Sequence, residues 1–305
     1  MNRPLHLIAA LVLCSTVLHA GQTDDHQAEL PDTPKGAPSF TPPAESELPE
    51  GPFGEMVRYG RDLFVDTQQL RGRFVGNGLN CVNCHIDAGR RADSAPLWAA
   101  YTMYPAYRSK NDRVNTMEQR IQGCFRYSMN GAPPPSGSRE LSALLSYHYW
   151  LARGAPVGVA LAGRGYPKLD EPPSAPDISR GRQVFEAQCA LCHGEDGQGR
   201  KAEGVYAFPP LWGTDSYNWG AGMHRVNTAA AFIHANMPLG RPESLSVQQA
   251  WDVAAFINSH ERPQDPRHEG DLKETDATFH VHQCHYGDEV DGQLLGSHAY
   301  PNPLQ

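Results

Sequence analysis

The chain has no apolar run long enough to cross a bilayer. Its longest, from Leu7 to Leu18, is softened by Cys14, Ser15 and Thr16 and stops before a polar stretch. Preceded by Arg3 and followed by the small Ala20, it reads as a secretory signal peptide over residues 1–20, which sends the chain to the periplasm. Leu13 stands where lipoprotein processing wants a small side chain, which argues against acylation of Cys14. Basic residues are also few. Against 34 Asp and Glu there are 26 Lys and Arg, a net charge of -8 that argues against nucleic acid and anionic lipid as partners. Strand-like alternation is hard to find, and the apolar stripes that do occur have helical spacing. Residues 21–52, rich in Pro, Glu, Asp and Thr, offer almost nothing to bury and are expected to form a flexible leader.

Cysteine is scarce as well, 7 in 305 residues, and most of it is spent on two copies of one pattern, Cys81-Val-Asn-Cys84-His85 and Cys189-Ala-Leu-Cys192-His193. Two thiols three positions apart can each add to one vinyl group of a haem, and the adjacent histidine then lies under the iron. A zinc half-site would want a second pair or further histidines at matching distance. A redox dithiol would need strands around it, and neither copy has them. The pattern therefore predicts two covalently bound haem c groups, attached through Cys81, Cys84, Cys189 and Cys192, with His85 and His193 on the irons. Export fits this, because bacterial attachment to the motif is completed outside the cytoplasm.

The two motifs sit in similar halves. Tyr59-Gly60-Arg61-Asp62-Leu63-Phe64 precedes the first and Arg180-Gly181-Arg182-Gln183-Val184-Phe185 the second. Each half ends in a helix: about Arg139 to Leu151 with Gly154 and Pro156 as the stop, and a second one capped by Ser246 and running to Arg262-Pro263. A proline-rich acidic stretch between the halves marks a linker. The expectation is an all-α chain of two tandem class I cytochrome c-like domains, residues 53–165 and 177–263, joined by linker 166–176 and followed by a polar tail, 264–305. In that tail Val281-His282-Gln283-Cys284-His285 imitates the attachment motif but lacks its first cysteine, so no third haem is expected.

A six-coordinate haem needs a ligand on its far side, commonly methionine or histidine. Met237, in the loop before the last helix, suits the second haem; Met223, His224 and His234 are weaker alternatives. Met129 lies at the same sequence distance beyond His85 as Met237 beyond His193. Cys124 stands five positions before Met129 and offers a thiolate, which the arginines around it and the metal would favour. A disulfide between Cys124 and Cys284 is the competing use of that thiol.

Several segments together resemble the dihaem thiosulfate dehydrogenases, cytochromes that join two thiosulfate ions into tetrathionate. They are Gly76-Asn77-Gly78-Leu79-Asn80, Arg113-Val114-Asn115-Thr116 with Arg120 and Gly123-Cys124-Phe125, Ser128-Met129-Asn130-Gly131, Asn236-Met237-Pro238, and Asn258-Ser259-His260-Glu261-Arg262-Pro263. The resemblance runs from about Gly51 to Pro263. It implies His85 and Cys124 as axial ligands of a first, catalytic haem, and His193 with Met237 on a second, electron-transferring haem. Where some members carry a lysine before the methionine, this chain has Asn236. Arg108, Lys110, Arg113, Arg120 and Arg126 against Asp112 and Glu118 form a basic island suited to sulfur oxyanions, with Arg120 first, Arg113 next and Ser128 as a further donor. The implied partners are thiosulfate, tetrathionate and a small soluble acceptor, either a cytochrome c or a high-potential iron–sulfur protein; the same site run backwards would reduce tetrathionate. Two other readings of the residues are a non-catalytic dihaem carrier and a sulfur-carrier cytochrome that loads thiosulfate onto a partner protein.

Overall fold

The computed structural model describes residues 33–304; the expected signal peptide and the start of the leader lie outside the described residues. The first unit contains α1 (Gly51–Val65), the first attachment motif, α2 (Ile86–Gly89), α3 (Leu97–Tyr101), α4 (Met117–Tyr127) and α5 (Arg139–Leu151). A small antiparallel hairpin of β1 (Ala106–Arg108) and β2 (Arg113–Asn115) precedes α4. The second unit contains α6 (Ile178–Gln188), α7 (Ala190–His193) with the second motif, α8 (Val226–Asn236) and α9 (Val247–Asn258), plus the hairpin β3 (Arg200–Ala202) and β4 (Val205–Phe208). Beyond it lie α10 (Leu272–Phe279) and the hairpin β5 (Glu289–Val290) and β6 (Gln293–Leu294). The architecture is helical, with strand confined among the described residues to three two-stranded hairpins.

The helices start where side chains can take up their orphan amides. Ser138 accepts from the Leu141 N–H, Ser246 from Gln249, and Thr116 from Gln119 in a reciprocal box. In each half the first helix packs on the last, α1 on α5 and α6 on α9. The crossing is so close that a glycine is required on one side. A Cβ on Gly60 would sit 2.0 Å from the Ala143 carbonyl oxygen, and one on Gly181 would sit 2.0 Å from that of Asp252. One turn on from each glycine, Phe64 and Phe185 enter the cores, the first 5.9 Å from the Tyr147 ring and the second 5.3 Å from Phe256. The repeated Gly-to-Phe pattern is thus a crossing point followed by an anchor.

The units are fused along a seam of buried asparagines. Asn77 Nδ2 donates to the carbonyls of Ser128 at 2.8 Å and Ser216 at 3.0 Å. Asn218 Nδ2 reaches Arg126 O at 2.9 Å, and Asn236 Nδ2 reaches Asp93 O at 3.0 Å. Such buried amides stabilise only because each finds partners. The linker lies along the second unit, with the Trp251 indole donating to Asp170 O at 2.9 Å.

Two stretches depart from expectation. Part of the segment read as a flexible leader is docked: the Phe40 ring lies 5.6 Å from Trp98, Pro38 O accepts from Ala162 N at 3.0 Å, and Glu45 pairs with Arg61 at 3.0 Å. Average composition hides these three anchors in a polar background. The polar tail is folded too, burying Tyr286 and Leu295 around Trp219. Glu261 holds it by accepting from the Trp219 indole at 3.0 Å and the Gly296 amide at 2.8 Å.

Gly181→Ala should lower stability by about 1–3 kcal/mol through overpacking at the α6–α9 crossing. Gly123→Ala, where a Cβ meets nothing within 4 Å, should be neutral or gain about 0.5–1 kcal/mol. Thermal unfolding of the two variants checks this; equal midpoints would contradict the crossing argument.

Candidate haem sites and a cysteine–arginine pair

In both halves the attachment motif folds into one turn, with His85 N donating to Cys81 O at 3.1 Å and His193 N to Cys189 O at 2.9 Å. That turn brings both thiols and the following imidazole to one region. Each imidazole then meets a backbone carbonyl: His85 Nδ1 lies 2.7 Å from Ala95 O and His193 Nδ1 lies 2.9 Å from Pro209 O. A carbonyl only accepts, so Nδ1 carries the proton and Nε2 keeps its lone pair for a metal. Burial pushes His85 down to about 4, so that the ring is neutral as a ligand must be. Two thiols, a carbonyl-oriented histidine and an apolar surround fit haem c in each half.

The far side of the first motif is built by α4. Arg120 and Cys124 lie one turn apart on one face, and Arg120 Nη1 donates to Cys124 Sγ at 2.9 Å. The electrostatic interaction with Cys124 is the largest influence holding the Arg120 guanidinium above its ordinary value. Cys124 is also near enough to the attachment cysteines to add to the effect of burial, which pushes the Cys81 and Cys84 thiols up to about 12. Cys124 and Cys284 are both unbridged, so the disulfide alternative is not formed. Met129, its rival by spacing, is buried in the first core with Phe74 and Phe125.

In the second half Met237 follows α8, half-buried against that unit's core. Met223 packs against both cores, and His224 belongs to a histidine cluster near the tail. Asn236 is committed to the seam by its bonds to Asp93 O and Phe232 O.

The other expected site residues are more scattered. Arg113 is exposed on β2, opposite Arg108 in the hairpin register. Ser128 caps α4, where its carbonyl accepts from Asn77. Neither side chain is hydrogen-bonded to the Arg120–Cys124 pair, although the Ser128 N–H donates to the Cys124 carbonyl where the helix ends. Several groups around the pair have no sequence signal. The Tyr166 hydroxyl lies 3.4 Å from Cys84 O; burial drives it well above its ordinary value, while Arg120 opposes the rise. Tyr104 acts on Arg120 electrostatically and accepts from Arg108 Nη1 at 2.6 Å. His148, held by Leu144 O at 2.7 Å, is pushed down to about 4 by burial, with His85 and Arg120 adding to the fall. Lys110 is depressed well below the usual lysine range by burial and by the charges of Arg267, Arg225 and Arg120. This crowding of cations marks a region of positive potential inside an acidic protein.

Tandem helical units, each with an attachment motif and an oriented histidine, make the molecule a c-type cytochrome with two cytochrome c domains. Residues 73–157 match the family described as SoxA/TsdA, cytochrome c domain, and residues 176–257 match cytochrome C oxidase, cbb3-type, subunit III. The chain is 54% identical over 295 residues to a thiosulfate dehydrogenase of Stutzerimonas stutzeri, covering 95% of this chain and 96% of the relative. It is 56% identical over 265 residues to that of Thiomonas intermedia, covering 87% and 84%. A solved thiosulfate dehydrogenase (TsdBA) of Marichromatium purpuratum, in its as-isolated form, superposes with a TM-score of 0.82 at 53% identity, covering 86% of this chain and 58% of that chain. The present chain therefore spans less than two thirds of that larger protein. The chain belongs to the thiosulfate dehydrogenase family.

Proposed function

We propose that this chain is a periplasmic enzyme that oxidatively couples two thiosulfate ions to tetrathionate and passes two electrons to a small soluble acceptor, a cytochrome c or a high-potential iron–sulfur protein. The observation that carries the reading is the guanidinium of Arg120 on the sulfur of Cys124, beside the first attachment motif. Two haem c groups are assigned, one held by Cys81, Cys84, His85 and Cys124, the other by Cys189, Cys192, His193 and Met237. When bound, they supply the one-electron acceptors that the reaction requires.

Electrostatics sets the order of events. Two dianions about 5 Å apart repel by on the order of 13 kcal/mol at an effective dielectric of about 20. Linking the first thiosulfate to Cys124 lowers that cost, because the Cys124 thiolate and a dianion lose two electrons and become a monoanionic S-thiosulfonate. The second dianion then faces half the charge product. Its terminal sulfur attacks the adduct sulfur bonded to Cys124 Sγ, the Sγ–S bond breaks, tetrathionate leaves, and Cys124 departs as a thiolate. Arg120 holds that thiolate before and after, and its forked donors match the sulfonate oxygens in between. Arg113 on the exposed hairpin receives the incoming dianion, and Ser128 donates a further hydrogen bond. Run backwards, the same steps cleave tetrathionate.

A second reading has one observation behind it. Over 111 residues, 34% of this chain, it is 35% identical to an L-cysteine S-thiosulfotransferase subunit SoxA of Hydrogenobacter thermophilus. A sulfur-carrier cytochrome of that kind would depend on a cysteine of a partner protein, so turnover by the isolated chain with an artificial oxidant separates the two.

Cys124→Gly should abolish tetrathionate formation while covalent haem content stays unchanged; near-normal turnover would end the covalent scheme. Arg120→Gln should lower kcat/KM for thiosulfate by about 10²-fold, the scale of a lost donor to a developing anion. Arg126→Gln, on the exposed side of α4, should stay within about twofold. Steady-state kinetics of the paired variants checks the assignment, and equal losses in both would contradict it.

A further inference from the structure

We propose that His224, His280, His282 and Cys284 form a closed binding site for one zinc ion, separate from both haem sites. One ligand atom from each lies within 4.8 Å of all the others. His280, His282 and Cys284 come from the tight turn after α10, where His282 N donates to His280 O at 2.8 Å. His224 comes from the turn before α8, so the site joins the tail to the second cytochrome unit.

Outer hydrogen bonds leave the inward-facing atoms free. His280 Nε2 donates to Asp265 Oδ2 at 3.1 Å, which leaves its Nδ1 lone pair 3.7 Å from Cys284 Sγ. His224 Nδ1 donates to the Ala221 carbonyl, which leaves its Nε2 lone pair 2.7 Å from His282 Nε2. A histidine fixed by a carboxylate or a carbonyl on its outer nitrogen is the usual support of a metal ligand.

The dimensions also agree. A tetrahedral ion with Zn–N near 2.0–2.1 Å and Zn–S near 2.3 Å separates its ligand atoms by roughly 3.3–3.6 Å. The His280–Cys284 separation is already close to that, His224 and His282 must part by about 0.6 Å, and the remaining ligand atoms lie within 4.8 Å of one another.

Three imidazoles and a thiolate suit a borderline-soft ion and leave calcium and magnesium without their oxygen ligands. Uptake of Zn²⁺ releases the Cys284 thiol proton to solvent and moves the His282 ring proton from Nε2 to Nδ1. Arg225, Lys110 and Arg267 also face the cluster, and the new thiolate with Asp265, Asp276 and Asp288 offsets the added charge. Aromatic rings wall the buried side, with Tyr286 stacked on His280 at 4.0 Å and Trp219 at 6.2 Å from His224. Four protein ligands and no open position define a structural site, one that staples the tail over the seam.

The test uses the full-length haem-loaded protein, stripped with a chelator, resupplied with Zn²⁺ and desalted. Elemental analysis should give one zinc per chain, and X-ray absorption at the zinc edge should show one sulfur near 2.3 Å with nitrogen neighbours near 2.0–2.1 Å. The double variant His282→Ala, Cys284→Ala, at two half-buried positions, should bind at least about 100-fold more weakly with covalent haem unchanged. Substoichiometric zinc in the unaltered protein, a zinc shell without sulfur, or equal binding by the double variant would each overturn the proposal.

Discussion

A guanidinium 2.9 Å from a thiol sulfur is an expensive thing to hold half-buried, and much of the fold serves to hold it. Both groups sit on α4, whose start is closed by the Thr116–Gln119 box and whose apolar side is pinned by buried Ile121 and Phe125. Its C-terminal carbonyls are satisfied from both units. Asn218 takes Arg126 O and Asn77 takes Ser128 O, so the last turn of the helix is finished by residues outside it. The Arg120–Cys124 pair and the junction between the two cytochrome units are thereby joined in one piece of structure.

That coupling has a functional sense. In the proposed reaction electrons removed at the first unit pass to the second, and the hydrogen-bonded seam fixes the distance between them. Buried asparagines serve well here, since each is satisfied by particular carbonyls and tolerates no sliding. Asn236 illustrates the constraint. It precedes Met237, and its amide is bonded to Asp93 of the first unit, so the loop bearing the proposed second-haem ligand is tied to the opposite domain.

The sequence made the repetitive and local features legible. Attachment motifs, the closing helix at Arg139–Leu151 and the Ser246 cap follow from spacing, and the structure brings Arg120 and Cys124, each singled out separately in the sequence, into contact on one helix. Features made by distant partners left no such trace. The docking of Phe40 on Trp98, the folding of the tail around Trp219 and the gathering of Tyr104, His148 and Tyr166 near Arg120 depend on residues brought together only by the finished fold. Arg113 and Ser128 show the converse limit. Their neighbourhood in sequence suggested one cluster, yet a hairpin carries Arg113 away from the pair, and Ser128 meets it through its backbone N–H on Cys124 O rather than through its hydroxyl.

The central claim is that the chain itself draws electrons from thiosulfate through the Cys124 site. Anaerobic mixing of the oxidised, haem-loaded protein with thiosulfate, following the haem bands and assaying tetrathionate with an added one-electron acceptor, tests it most directly. The haems should become reduced and tetrathionate should form with no other protein present. Haems that remain oxidised in a sample with verified intact cofactors would contradict it.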